Sequence, residues 1–262
     1  MNQQTPSRRI AYVVPSPMDR DEAGAAEVAR RQTKLRGWAF PGTEVDVRTV
    51  NRGPRSIESA YEEYLAIPAA AEEMRRVEAE GYDAAIIGCF GDPGLDGLRE
   101  VCDIFVTGPA SASIATATML GHRFSIVTVA PSIVPALRRL VWETGSSEAL
   151  ASVRSISIPV LSLGQDRDST LQALHAEARL AMDQDGADVV VLGCMSMGFL
   201  DAAEELTEEL GIPVINPAHA ALKAAESTVA QRLTHSRSAY MTPPKVAAGM
   251  RYDDLIVQSA GP

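Results

Sequence analysis

The chain is poor in the residues that most cofactor chemistry requires. In 262 residues it has three lysines (Lys34, Lys223 and Lys245), three cysteines (Cys89, Cys102 and Cys194) and four histidines. So few lysines leave little choice of Schiff-base anchor for pyridoxal phosphate. An odd cysteine count with no C-x-x-C spacing excludes a disulfide framework, argues against zinc or a redox dithiol, and fits a reducing cytoplasm. His122, His175, His219 and His235 show no metal-ligand spacing, so no metal site is expected. Positive charge is also short. With 24 basic against 34 acidic residues the net charge is −10, which repels a phosphate backbone and disfavours a nucleic-acid partner. Long apolar runs are missing too. The run at 10–14, after Arg8 and Arg9, stops at Pro15-Ser16-Pro17, short of a signal-peptide core, and nothing approaches the roughly 18 apolar residues of a membrane span. A soluble cytoplasmic protein with no membrane partner is the expectation.

The apolar fraction of 46% can fill a core. The length suits two halves of roughly 100–130 residues each. Apolar runs at 10–14, 45–50, 84–88, 104–106, 124–129, 153–158, 189–193 and 214–215 read as strands, with helical periodicity between most of them. Several of these runs are continuously rich in Ile and Val rather than alternating, which predicts parallel sheets covered on both faces by helices, the α/β class. Asp92-Pro93 and Asn216-Pro217 read as helix N-caps followed by proline at the first helical position. Gly211 reads as a helix stop. The segment RGPRS, 52–56, has turn chemistry and predicts a surface loop of the kind that carries function.

An internal repeat organises the chain. GYDAAIIGCFGDPGLDGLRE from Gly81 aligns without gaps on GADVVVLGCMSMGFLDAAEE from Gly186, matching Asp83 to Asp188, Gly88 to Gly193 and Cys89 to Cys194. Val14-Pro15-Ser16 resembles Ala130-Pro131-Ser132, and Gly108-Pro109 resembles Asn216-Pro217. Two similar α/β halves follow.

Each half ends an apolar strand with Gly-Cys and then turns toward a helix. In an open parallel sheet, ligands bind beyond the carboxyl ends of the strands, so both thiols are expected at a site mouth. Halves related by a pseudo-two-fold would set the cysteines on opposite sides of one cleft, with helix N–H groups drawing the thiol pKa from about 8.5 toward neutrality. A thiolate and a thiol flanking one carbon form a symmetrical proton-transfer pair. One removes a proton from one face of a carbon acid and the other returns one to the opposite face, which is racemisation without a cofactor. Backbone N–H groups around Cys89-Phe90-Gly91 and Cys194-Met195-Ser196 could hold the enolate oxygen.

A lone cysteine at a strand end is ordinarily a small buried hydrophobe, but recurrence at matched positions of a repeat favours function. Cys102 has no counterpart and reads as core. The segment 88–94 is glycine-rich yet lacks both G-x-G-x-x-G and a Walker lysine, so it predicts no nucleotide site. Asp96 and Asp201 read as first-turn acids complementing helix dipoles, and Glu204, Glu205, Glu208 and Glu209 as a solvated face. Of the histidines, only His219 is expected near the site.

IIGCFGDPGLDGLRE, RGPRSIES from Arg52, GHRFSIVTVAP from Gly121, VLGCMSMGFL from Val191 and LGIPVINP from Leu210 resemble the aspartate/glutamate/hydantoin racemase superfamily, and within it the hydantoin and allantoin racemases. The resemblance runs through about Tyr240. It implies two pseudo-symmetric, Rossmann-like parallel-sheet α/β domains, one spanning 1–110 and completed by 212–262, the other 111–211. It also implies a cleft between them, no cofactor, Cys89 and Cys194 as acid/base pair, a small-molecule substrate and a homo-oligomer. Three departures fall near the expected pocket. Hydantoin racemases usually carry Asn-Pro-Asn-Thr where this chain has Val14-Pro15-Ser16-Pro17, Gly-Ile-Ala-Glu-Ala where it has Gly108-Pro109-Ala110-Ser111-Ala112, and Asp-Gly where it has Asn216-Pro217. Substrate contacts are therefore expected from Pro15, Ser16, Phe90, Gly91, Ser111, Met195, Ser196 and Asn216.

Three functions remain open at this point. The first is a racemase or epimerase of a five-membered cyclic ureide, whose neutral ring needs no arginine clamp, in keeping with the lack of arginine beside either cysteine motif. The second is a relative acting on an open carboxylate, either an amino-acid racemase or a maleate-type isomerase in which one cysteine adds to a double bond. An arylmalonate-decarboxylase-like activity fits less well, because those enzymes resemble this chain with only one of the two cysteines. The third is a ligand-binding protein that keeps the fold without turnover.

Overall fold

The structure, a computed structural model, describes residues 8–250 and 252–255. All eight expected strands form. The first sheet joins β1 (Arg8–Val14), β2 (Thr43–Thr49), β3 (Ala84–Ile87) and β4 (Phe105–Thr107) in the order β2-β1-β3-β4. The second joins β5 (Phe124–Thr128), β6 (Leu150–Ser155), β7 (Val189–Leu192) and β8 (Val214–Ile215) in the matching order β6-β5-β7-β8. Every pairing is parallel. The expected α/β class with two pseudo-symmetric parallel sheets is what the chain forms. β6 begins and ends three residues earlier than its apolar run; beyond its end Ser157 adopts a left-handed φ of 57°, while the N–H groups of Ile156 and Ile158 still donate to the carbonyls of Thr128 and Val129.

Successive β1 side chains serve opposite faces, as the period of a strand requires. Ile10, Tyr12 and Val14 join one buried cluster with Leu35 of α1 (Glu22–Trp38). Ala11 and Val13 join another with Ala70 and Met74 of α2 (Ala60–Ala79) and Leu98 of α3 (Leu95–Val101). The second sheet is covered by α4 (Pro109–Leu120), α5 (Val134–Glu143), α6 (Arg167–Asp183) and α8 (Ala202–Leu210).

The chain changes halves twice in the same way. After edge strand β4 it crosses on α4, which packs against β7 and β8 of the other sheet. After edge strand β8 it crosses back on α9 (Pro217–Ala230), which packs against β1, β3 and β4. The two crossing helices lie side by side, and their buried alanines, Ala112 and Ala117 on one and Ala218, Ala221 and Ala225 on the other, permit close approach. The expected domain limits need adjustment here. The limit at 110 falls inside α4, which covers the second sheet, and the limit at 212 precedes β8, which belongs to that sheet.

The repeated residues make repeated contacts. Asp83 accepts the Arg9 N–H at 2.8 Å, and Asp188 accepts those of His122 and Arg123 at 2.9 Å, so each acid pins the start of the sheet's first strand. Gly211 ends α8 in a left-handed turn, and Asn216 caps α9, as the sequence predicts. Asp92 does not cap the helix that follows it. That helix starts only at Leu95, after Gly94 in the left-handed region, and Asp92 reaches instead to α4. No helix of the described residues is long and apolar enough to cross a membrane.

Candidate active site

The chain doubles back beyond β1 to build β2 on one side and β3 on the other, leaving a switch point at the carboxyl ends of β1 and β3. Pro15 and Ser16 follow β1 there, and Gly88 and Cys89 follow β3. The second half repeats the arrangement, with Ala130 after β5 and Gly193 and Cys194 after β7.

Neither glycine can be replaced without moving something. The Gly88 N–H donates to the Val13 carbonyl at 2.7 Å, and a Cβ on Gly88 would lie 2.8 Å from that oxygen and 2.9 Å from the Tyr12 ring. The Gly193 N–H donates to the Val127 carbonyl at 2.7 Å, and a Cβ there would lie 2.7 Å from Ile126 Cγ2 and 2.9 Å from Thr128 Cβ. The adjoining strand crosses too close for a side chain, so the peptide turns and delivers the next residue, a cysteine, to the site.

Both cysteines border one cleft of about 910 Å³ between the two halves, at the upper end of the range for small-molecule sites. The first half contributes Pro15, Ser16, the loop 53–57, Glu63 and Cys89-Phe90-Gly91. The second contributes Val129, Leu137, Leu161 and Cys194-Met195-Ser196. Among the expected contact residues, Pro15, Ser16, Phe90, Gly91, Met195 and Ser196 border this cleft.

Ser111 and Asn216 do not border it, which corrects the expectation for both. The Ser111 hydroxyl donates to Asp92 at 2.6 Å behind the cleft wall. Asn216 accepts from the N–H of Ala218 at 3.0 Å and donates to the Gly198 carbonyl at 2.7 Å, so its amide is consumed by the fold. His219 stacks on Trp38 at 5.4 Å and is likewise absent from the lining. Cys102 is buried at the end of α3, in the core as expected.

Three side chains at the site carry no local sequence signal. Arg31 reaches over from α1, almost wholly buried, donating to Glu27 at 2.7 Å and to the Ser196 hydroxyl at 3.0 Å, with its guanidinium 4.9 Å from the centre of the Phe199 ring. An arginine therefore does stand beside the second cysteine motif, supplied by a helix more than 160 residues away in sequence. Its spacing four residues after Glu27 gives it the look of an ordinary helix-surface ion pair. Glu63, from α2, presses its carboxylate against Gly91, where a Cβ would lie 2.2 Å from Glu63 Oε1. Tyr12 lies fully buried with its ring against Gly88 and 5.9 Å from Phe199.

The electrostatics also depart from expectation. Burial pushes the Cys89 thiol up, against the N–H of Gly91, and the charges of Glu63, Cys194 and Asp92 push it further. Burial pushes Cys194 up too, opposed by the N–H groups of Ser196 and Met197 and by Arg31. The expected fall toward neutrality does not occur. Cys89 is followed by a turn rather than a helix, and α7 (Met195–Gly198) after Cys194 is a single turn, too short to outweigh desolvation. Burial raises Glu63 as well, with Arg139 opposing. Burial also raises Tyr12, and the charges of both cysteines act on it in the same sense. Among the described residues no group of His, Cys, Asp or Glu is arranged to hold a metal ion.

The sequence model of the Asp/Glu/Hydantoin racemase family matches residues 22–225. The chain belongs to that family. It is 41% identical to a hydantoin racemase of Pseudomonas sp. (strain NS671), over 71% of this chain and 74% of the relative. It is 40% identical to a hydantoin racemase of Paenarthrobacter aurescens, over 72% and 80%. Its fold matches the structure of an allantoin racemase from Klebsiella pneumoniae with a TM-score of 0.83 at 34% identity, covering 90% of this chain and 94% of that one. The family member described here is an isomerase of the racemase type.

Proposed function

We propose that this enzyme inverts the acidic carbon of a five-membered cyclic ureide, of the hydantoin or allantoin kind, with Cys89 and Cys194 as the acid/base pair. The observation that carries the reading is that the two cysteines of the repeat border one cleft from its opposite halves. One thiolate takes the ring C–H proton, the electron pair moves onto the adjacent carbonyl oxygen, and the other thiol protonates the opposite face. The N–H groups following each cysteine suit the enolate oxygen. The kinship with a hydantoin racemase and an allantoin racemase supports a ring substrate.

The test is a panel of hydantoins, allantoin, amino acids and maleate in deuterium oxide, read by optical rotation and mass spectrometry. A ring ureide should racemise with deuterium entering at the inverted carbon. Cys89→Ser and Cys194→Ser should each lose at least about a hundredfold in rate. Racemisation at the wild-type rate by either variant, or inversion without deuterium uptake, would sink the two-thiol mechanism. Turnover confined to amino acids or maleate would sink the substrate class.

A further inference from the structure

The two thiols occupy unlike surroundings, although the repeat sets each directly after a strand-ending glycine. Cys194 stands at the start of α7, where the N–H groups of Ser196 and Met197 bear on its sulfur. Arg31, from α1, is buried beside it and locked in place by Glu27 on one side and the Ser196 hydroxyl on the other. Arg30 of α1, also paired with Glu27, borders the same cleft, and the charges of both sulfurs act on Tyr12 from β1. Cys89 has the opposite company. Its own turn supplies Asp92, buried and hydrogen-bonded, and α2 supplies Glu63, packed on Gly91. The cations on that side act on the carboxyl groups, Arg139 of α5 on Glu63 and Arg99 of α3 on Asp92.

We propose that Arg31 is a positioning residue that makes Cys194 the thiolate and Cys89 the thiol when the enzyme loses its first thiol proton. The proposal rests on the two-thiol reading above and adds to it a direction. A negative charge on Cys194 meets a fixed cation and two N–H dipoles, whereas the same charge on Cys89 meets two carboxyl groups in a poorly solvated cleft, where such terms act strongly. Once Cys194 is ionised, its charge opposes ionisation of Cys89, so a single proton is shared between the two sulfurs and resides on Cys89. In the forward direction from this form, the Cys194–H bond forms as the substrate C–H bond breaks, the electron pair rests on the carbonyl oxygen, and Cys89 gives its proton to the opposite face. The enzyme then holds a Cys89 thiolate and a Cys194 thiol. It returns to the starting form by moving one proton between the sulfurs through water, or by running the opposite enantiomer. Arg31 reaches the chemistry through Cys194 and Ser196, so its role is to set the charge state.

The experiment is alkylation of the full-length, substrate-free protein by iodoacetamide from about pH 6 to about pH 10, with each cysteine quantified by peptide mass spectrometry. Both target thiols are partly exposed to the cleft, so access alone does not separate them. In the wild type, Cys194 should be modified at lower pH than Cys89. Arg31→Met should move the Cys194 midpoint up by about one unit or more and close the gap, and Arg31→Lys should restore most of it. Glu63→Gln, at the other wall, should lower the Cys89 midpoint while leaving Cys194 in place, and it carries the test should Arg31→Met fail to fold. Modification of Cys89 before Cys194, or midpoints unmoved by these substitutions, would overturn the assignment. No substrate takes part, so this outcome is independent of the deuterium-exchange result.

Discussion

Asp92 holds the first turn of α4 through Ser111. Its carboxylate accepts the Ser111 hydroxyl at 2.6 Å and the Ser111 N–H at 2.8 Å, and takes the Ala110 N–H at 2.9 Å. The turn that follows Cys89 is thereby tied to the helix on which the chain crosses into the second half.

That tie should be visible in the pH dependence of stability. Burial raises Asp92 to about 6, with the hydrogen bonds from Ser111 and Ala110 and the charge of Arg99 pulling the other way. Its folded value thus exceeds the ordinary carboxylate value of about 3.9. The folded state holds the proton more tightly, so this group's contribution is full below about pH 4 and is lost as pH rises through about 6. The loss is on the order of 3 kcal/mol for a shift of this size. Urea denaturation of the wild type and Asp92→Asn between these limits should give curves that converge toward higher pH or cross, as the variant lacks the slope. Parallel curves would refute the assignment.

Asn216→Ala separates support from binding. Losing the cap on α9 and the bond to Gly198 should lower stability by about 1–2 kcal/mol in urea denaturation. Because Asn216 does not border the cleft, KM should stay within about twofold of wild type. A large rise in KM with normal stability would show that the amide reaches substrate.

Gly193→Ala inserts a methyl group 2.7 Å from Ile126 Cγ2. Overpacking of this kind should cost about 1–3 kcal/mol in thermal or chemical unfolding. The displaced peptide carries Cys194, so kcat should fall by about 100-fold. Retained turnover in a destabilised variant would show that the cysteine's position is not set by this contact.

The dependence of kcat/KM on pH follows from the raised thiols. Burial pushes both Cys89 and Cys194 up, so the form holding one thiolate accumulates later than for a free thiol with a pKa of about 8.5. Stopped or continuous optical assays should find kcat/KM still climbing at about pH 8. A plateau reached below about pH 7 would contradict the desolvated cleft.

The Gly-Cys repeat was legible because a strand followed by a tight turn needs the same residues in both halves: an acid to pin the neighbouring strand, a glycine under a crossing chain, and then the delivered side chain. Pro15 and Ser16 were legible by the same logic, as residues following a first strand. Ser111 and Asn216 were expected as ligand contacts, and neither borders the cleft. A polar residue at a helix start can face either the ligand or its own helix, and that choice depends on what lies opposite. For Ser111 it is Asp92, delivered by a left-handed turn at φ 49°, and for Asn216 it is the Gly198 carbonyl. Arg31 and Glu63 were invisible, because an arginine or glutamate on an amphipathic helix has the same pattern whether it meets water or a buried thiol.

Local chemistry written in the chain determines the α/β class, the eight strands, the doubling of the sheet and the two repeated cysteines, since periodicity, caps and glycine turns act over a few residues. The tertiary structure alone decides which half each crossing helix covers and which polar residues meet the cleft. It also decides that one thiol faces a cation and the other faces carboxyl groups. Those outcomes come from long-range packing, where burial disfavours the charged form of every group and the side chains that meet the thiols arrive from helices elsewhere in the chain.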